Sequence, residues 1–429
     1  MPTIGYSSTS IPSELLRIYD RSQLFEPCER GEPRFWDDMQ EADDVRPGGA
    51  GYFFRIIGAI GHAQGTPGEG GDWSDPRTRL QVECNVTSAQ VDSVVSLSSK
   101  FLELAEDDGS YSGDAEHEAI VEAARGLFSL LNRYLVSGAL TGRLAVVLSS
   151  TVASTTFTCK GPEFAFQLRR NQPIEFADLD TGGTVQAQAV IRDVNYRTMV
   201  VTLDTAVTVT ANWGVYQQGT YGLPKPIGLR AIIDDGTFAT TIFGQSRSSP
   251  NQFLSGIIMD TSPALQDYSE ELVRDLVDQI AYNQDMIPTE FKCNYGITGE
   301  HYRLTTPDRI YMLAGNSKDV PGYQIGANQE EISFTYGNTK IPFKPDRDMP
   351  ARELYALYKP GFRKHTLRKA DWYRPGGGSP FMPMPADAGG NWTYTVGASM
   401  LVDLTISHRK LNAQGALKSI RDRGSARDT

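Results

Sequence analysis

The sequence predicts an α+β chain in which an antiparallel β module is inserted between two mixed regions. Three observations carry that reading. Apolar residues recur with the helical period over 114–136 and 265–283, and alternate with the strand period over 77–86. Between 144 and 219 the composition turns abruptly to Thr, Val, Gln and Gly. The chain has 429 residues, which passes the roughly 250–300 at which single cores stop growing, so two or three domains are expected.

Taken in order, residues 1–47 read as an extended arm, because Pro12, Pro27, Pro33 and Pro47 interrupt any long helix. Ile11, Leu15, Leu16 and Ile18 fit a short anchoring helix. Residues 51–60 and 77–86 predict two strands around the Gly/Pro-rich stretch 61–72, a long hairpin. A lone hairpin is marginal in water, so it must lie on something else. Residues 88–106 predict a helix carrying Val91, Val94, Val95, Leu97, Phe101, Leu102 and Leu104. After a turn at 107–110, 114–136 is the cleaner helix, with Ile120, Ala124, Leu127, Phe128, Leu131 and Leu135 in one stripe. Asp114, Glu116 and Glu118 sit at its N-terminal end, where the helix dipole favours acids.

Within the module, 163–168, 174–179, 185–194 and 198–203 predict short strands, with turns at Gly182-Gly183 and Asn195-Tyr196-Arg197. Even spacing of this kind suits a small barrel or a sandwich. Further on, 265–283 predicts an amphipathic helix, acidic at its start through Asp267, Glu270 and Glu271. Strands are expected at 309–313, 332–336, 340–343 and 393–406, and the tail from Asn412 reads as polar. The chain divides accordingly into 1–47, 48–87, 88–143, 144–222, 223–340 and 341–429.

With 40% hydrophobic and 22% charged residues, the composition is that of an ordinary globular protein. No apolar run approaches the ~20 residues that span a bilayer, and the N-terminus lacks a basic segment followed by an apolar one. A cytoplasmic folding environment is therefore expected, with Cys28, Cys84, Cys159 and Cys293 as reduced structural thiols. The net charge of -11 argues against general DNA binding, which lysine and arginine drive. Charge is also unevenly spread. Residues 1–47 carry ten acids against five arginines, whereas 359–374 carry six basic residues against Asp371. In a self-assembling chain, that asymmetry lets one copy's arm meet another's basic segment.

Searching for chemistry turns up little. The Gly-rich tip lacks the lysine of a phosphate loop and carries Glu69 and Asp72. His62, His117, His301, His365 and His408 show no zinc-ligand spacing, and no GxSxG elbow is present. The acid pairs Asp178/Asp180 and Asp234/Asp235 read as solvated or turn-capping groups. Aromatic and basic residues interleave over 362–373, a pattern open to nucleic acid, with contact to acidic protein favoured. No catalytic, cofactor-binding or metal-binding residue is assigned.

The stretch 228–237 (GLRAIIDDGT), followed by Phe243-Gly244-Gln245-Ser246-Arg247-Ser248, resembles the Hong Kong 97-like major capsid proteins of tailed double-stranded DNA phages. The order of elements matches as well. The resemblance implies an N-terminal arm (1–47), an E-loop hairpin (48–87), a peripheral domain with a spine helix (88–143), an axial domain (223–340) and a return to the peripheral domain (341–429). The β module at 144–222 is then an insertion. The implied function is a non-enzymatic subunit that self-assembles into hexamers and pentamers of an icosahedral head enclosing DNA. Scaffolding, portal and, in some members, cement proteins are the implied partners, with no membrane and no cofactor. The implied location is the virion capsid, assembled in the host bacterial cytoplasm. An encapsulin-like compartment shell and a cytoplasmic enzyme with a β-rich binding module are the alternatives.

Three groups of residues are expected between copies. The acidic arm (Asp37, Asp38, Asp43, Asp44) should meet basic residues near Lys364 and Arg368. The hairpin, with Arg55, Trp73 and Arg77, should lie over a neighbour, and the loop with Asp234, Asp235 and Arg247 should sit near the capsomer axis. Some family members weld the shell by an isopeptide bond from an E-loop lysine. The first lysine here is Lys100, so no such crosslink is expected.

Overall fold

A computed structural model of the chain describes residues 4–6, 35, 39–42, 52–59, 80–87, 89–98, 115–136, 142–160, 168–178, 184–196, 198–223, 225–237, 239–261, 264–314, 333–372, 382–383 and 395–422. The first strand, β1 (Ile4–Tyr6), is followed by the hairpin β2 (Tyr52–Ala59) and β3 (Leu80–Val86), paired antiparallel. Next comes β4 (Ala89–Ser98), which corrects the helix expected over 88–106. Val91, Val94, Val95 and Leu97 fit either period, and β-branched side chains on a segment flanked by partner strands decide for the sheet. Residues 99–106 lie outside the described residues. The long helix α1 (Ala115–Val136) forms where its stripe predicts, with Leu127, Leu131 and Leu135 fully buried.

The inserted module contains β5 (Ala145–Val146), β6 (Thr151–Thr158), β7 (Pro173–Ala177), β8 (Val185–Asn195), β9 (Val200–Val209) and β10 (Gly214–Gln217). Their order is β5-β10-β7-β8-β9-β6, every pair antiparallel. An antiparallel bridge between Val147 and Cys159 joins the two ends, with Leu148 N–H donating to Thr158 O at 2.8 Å and Lys160 N–H to Val146 O at 2.7 Å. The module is thus a closed six-stranded barrel. Closure removes the open edges that a sandwich would leave. Phe157 and Phe176 meet edge to face at 5.2 Å among buried Ile174, Ile191, Val201, Leu203 and Val215. Of the strand expected at 163–168, only Leu168 falls within the described residues, and it belongs to no strand.

Beyond the barrel lie the short helix α2 (Leu229–Ile233), the small ribbon β11 (Thr241–Ile242) and β12 (Gln245–Ser246), and β13 (Ile257–Asp260). Helix α3 (Glu270–Gln284) starts later than the apolar pattern alone suggests. Ser269 is its N-cap and accepts from Leu272 N–H at 3.3 Å, a side-chain cap that fixes where the turn begins. Strand β14 (Glu290–Cys293) leads into helix α4 (Tyr295–Ala314), which absorbs the strand expected at 309–313. A five-residue apolar run has no period of its own, and here it continues a helix already started at Tyr295.

The remaining strands are β15 (Ser333–Tyr336), β16 (Thr339–Pro345), β17 (Leu354–Leu357), β18 (Phe362–Trp372), β19 (Met382–Pro383), β20 (Thr395–His408) and β21 (Gly415–Lys418). The last corrects the polar-tail reading, since Gly415, Ala416 and Leu417 are buried and β21 sits inside the sheet β13-β21-β17-β14-β16-β15. The other large sheet runs β1-β4-β20-β18, with β19 also on β20, and α1 contacts both β4 and β20. Strands from the two ends of the sequence therefore share the β1-β4-β20-β18 sheet, and β13 pairs with the distant β21 in the other, non-local pairings that local propensity cannot announce. One apolar core joins Phe35, Met39, α1, the barrel and α2, and a second fills the space between α3 and the β14-containing sheet.

Candidate functional site

The hairpin has an apolar inner face and a mixed outer one. Tyr52, Phe54 and Ile56, opposite Val86, Cys84 and Val82, form its inner face. Phe54 meets Phe243 edge to face at 5.4 Å and Tyr52 stacks on His365 at 4.8 Å. Asn85 N–H donates to Phe243 O at 2.9 Å, and Gln245 Nε2 to Glu83 O at 2.8 Å, which seats the hairpin base on the β11–β12 ribbon. Gly58 comes so close to Phe253 that a Cβ there would lie 2.5 Å from the ring. On the outer face, Phe53 is 61% exposed and Ile57 49%, with Arg55 and Glu83 paired between them at 3.6 Å. Large apolar groups aligned on an outward strand face make a contact surface.

Part of the arm is anchored in its own chain. Phe35 and Met39 are buried, Phe35 lying edge-on to Phe362 at 5.6 Å, with Lys292 Nζ 4.9 Å from the Phe35 ring centroid. Residues 40–42 run parallel to β18, Ala42 N–H donating to Lys364 O at 3.0 Å and Lys364 N–H to Gln40 O at 2.9 Å. Glu41 pairs with Lys364 at 3.8 Å. An arm acid thus meets Lys364 within one chain. Asp37, Asp38, Asp43, Asp44, Trp73 and Arg77 lie outside the described residues. Arg368 is on the exposed part of β18, beside Leu367.

The 228–248 segment folds into a buried clasp. Asp234 Oδ2 accepts from Gly236 N–H at 2.9 Å, Ala239 N–H at 2.8 Å and Arg247 at 3.4 Å. Arg247 also donates to the carbonyls of Ala231 (2.7 Å), Ile232 (3.1 Å), Ala239 (3.0 Å) and Leu254 (3.2 Å). It therefore caps the C-terminal end of α2 and holds the following loop closed. Burial draws its guanidinium down to about 10, against the pull of Asp234 and Asp235. The side chains of Asp234 and Arg247 are both buried within the chain. Asp235 is exposed and caps a turn at Thr237 N–H, 2.9 Å away.

A second buried polar cluster, unforeseen from the sequence, joins three elements. Asp348, in the β16–β17 connection, accepts from Arg169 of the barrel at 2.5 Å and from Asn132 of α1 at 2.7 Å. Asp346 pairs with Lys292 at 2.9 Å, and Arg133 donates to Gln172 of the barrel at 3.0 Å. Burial raises the Asp348 carboxyl and Arg169 lowers it again in part. Cys84, Cys159 and Cys293 are buried thiols outside any disulfide, and burial pushes Cys84 to about 11 and Cys293 to about 12. Among the described residues no three His, Cys, Asp or Glu side chains are placed to hold a metal. Phe53 and Ile57 did carry a signal in the sequence. The run YFFRII is apolar at consecutive positions, too much for a strand with one wet face.

No family model and no curated protein matches the chain. Solved structures do. The chain is similar to the capsid asymmetric unit of cyanophage A-1(L), 9% identical over 89% of this chain and 90% of that one, TM-score 0.47. It is similar to the capsid of an empty GTA particle, 12% identical over 96% and 98%, TM-score 0.47. A holo-encapsulin complex from Synechococcus elongatus is 8% identical over 92% and 89%, TM-score 0.39.

Proposed function

We propose that the chain is the structural subunit of a closed shell, assembling as hexamers and pentamers of an icosahedral phage head that encloses double-stranded DNA. The observation that carries this reading is the hairpin's outer face. It presents Phe53 and Ile57 to solvent although its inner face is already seated on the chain's own β11–β12 ribbon. Large apolar side chains turned outward on so thin an element suit contact with a second body, and in a homo-oligomer that body is another copy. The resemblance in 228–248 adds that the loop it covers is built as a fixed scaffold around Arg247. In this reading the arm and the basic face of β18 supply charge contacts between copies. In this reading 144–222 is an insertion into the shell subunit. Separate scaffolding and portal proteins complete the head, and no catalysis is assigned.

Negative-stain imaging of the expressed chain, alone and with its scaffold, tests the reading. Shells or curved sheets are expected, and nucleic acid inside particles would favour a phage head over an enzyme compartment. The double variant Phe53→Ser with Ile57→Ser should keep the fold, because both side chains are exposed, and lose assembly. A monodisperse monomer under every condition would sink the proposal.

A further inference from the structure

The barrel is the element that a shell subunit does not obviously need. We propose that Arg169 and Asp348 lock it to the joint between α1 and the second large sheet, so that barrel, helix and sheet move as one body. The geometry at the joint is specific. The connection from β6 to β7 carries Arg169 and Gln172, and Gln172 is held from both sides, accepting from Arg169 N–H at 3.0 Å and donating to Gln217 at 2.8 Å. Neighbouring residues of α1 then split their bonds, Arg133 going to Gln172 in the barrel and Asn132 to Asp348 in the β16–β17 connection. Arg169 closes the triangle by reaching Asp348 directly, with side chains only 17% and 9% exposed. Charge-assisted, directional bonds between buried groups add geometric specificity to the apolar packing that joins these elements. The lock sets the angle at which the barrel projects. In a shell it would therefore hold the spacing of copies uniform, a consequence that rests on the shell reading.

Spin labels on Val152→Cys and Tyr282→Cys, 81% and 91% exposed in the native chain, report the barrel-to-α3 distance. Cys28 is replaced by Ser, and the buried Cys84, Cys159 and Cys293 stay unlabelled. Pulsed electron resonance on unassembled chains should give one narrow distance, broadened at least twofold by Arg169→Gln and restored in part by Arg169→Lys. Arg170→Gln, which removes only an exposed pair with Asp193, should leave it narrow. If Arg169→Gln fails to fold, Asp348→Asn gives the same reading while keeping the side chain's size. A distance that stays narrow in the folded variant overturns the lock. Broadened distances with particles still uniform in diameter would overturn its role in assembly and leave the lock standing. Failure of the chain to form shells at all would count against the shell reading without touching the distance result.

Discussion

His365 and His408 are buried on the paired strands β18 and β20, and both stay neutral near pH 7. Burial draws each down to about 4, with Arg409 adding to the effect at His365 and Arg363 and Lys410 at His408. His365 bonds Ser407 at 2.7 Å and carries Tyr52 on its ring, while His408 Nε2 donates to Tyr358 O at 2.9 Å. In the unfolded chain both titrate near 6.5, so the unfolded state takes up protons first as the pH falls. The stability they contribute is complete above about 6.5 and is lost on the way down to about 4. Urea unfolding at pH 7.5, 6 and 4.5 should show that loss, and His365→Gln should flatten it; an unchanged slope would exclude His365 as its source. Arg247 gives a second test at this scale. Breaking a buried, hydrogen-bonded ion pair costs roughly 3–5 kcal/mol, and lysine cannot reproduce the fork that reaches five carbonyl and carboxylate oxygens. Arg247→Lys should therefore lower the thermal midpoint by several degrees or more, as should Asp234→Asn, with the double variant less than additive. At Gly256 a Cβ would lie 1.9 Å from Ile233 O, against backbone that cannot yield, so Gly256→Ala should fail to give soluble protein.

Among the elements, the barrel is where packing makes the clearest statement. Phe157 inside it and Leu131 on α1 belong to one apolar core. Phe157→Ala should cost about 3–5 kcal/mol and lower the melting of the whole first core, with no separate barrel transition in calorimetry. Two resolved transitions would show the module to be independent. The elements also divide by how readable they are. Helix α1 and the barrel strands β7, β8 and β9 are legible because their signals are local, an apolar stripe in one and turn residues at even spacing in the others, whereas β5, β6 and β10 match none of the expected strands. Strands β4 and β21 are not legible either, since each takes its conformation from partners distant in the sequence, β4 from β20 and β21 from β13 and β17. The candidate site divides the same way. Arg247 and Asp234 stand out in the sequence, but their burial depends on a loop closing over them. Asp348, Asn132 and Arg169 sit in unrelated segments, and only the tertiary fold brings them together.

At the scale of the whole molecule, the proposed assembly raises the question of what kind of contact would join copies. The net charge is -11, so identical chains repel one another at long range, and close contact has to overcome that repulsion. The described chain offers two means, the apolar pair Phe53 and Ile57 and the exposed basic part of β18 at Arg368 and Lys369. They respond oppositely to salt. At ~1 M the screening length is ~3 Å, which weakens exposed charge pairs and relieves the general repulsion, while apolar burial is unharmed. Assembly driven mainly by the hairpin should therefore persist or improve as salt rises from ~0.05 to ~1 M, and Phe53→Ser should lose that resistance. Covalent welding is not expected to contribute. An isopeptide bond needs a lysine amine at the contact, and residues 48–87 contain no lysine. Particles boiled in detergent should run as a single monomer band, and a ladder of multimers that survives reducing agent would show that another part of the chain supplies the crosslink.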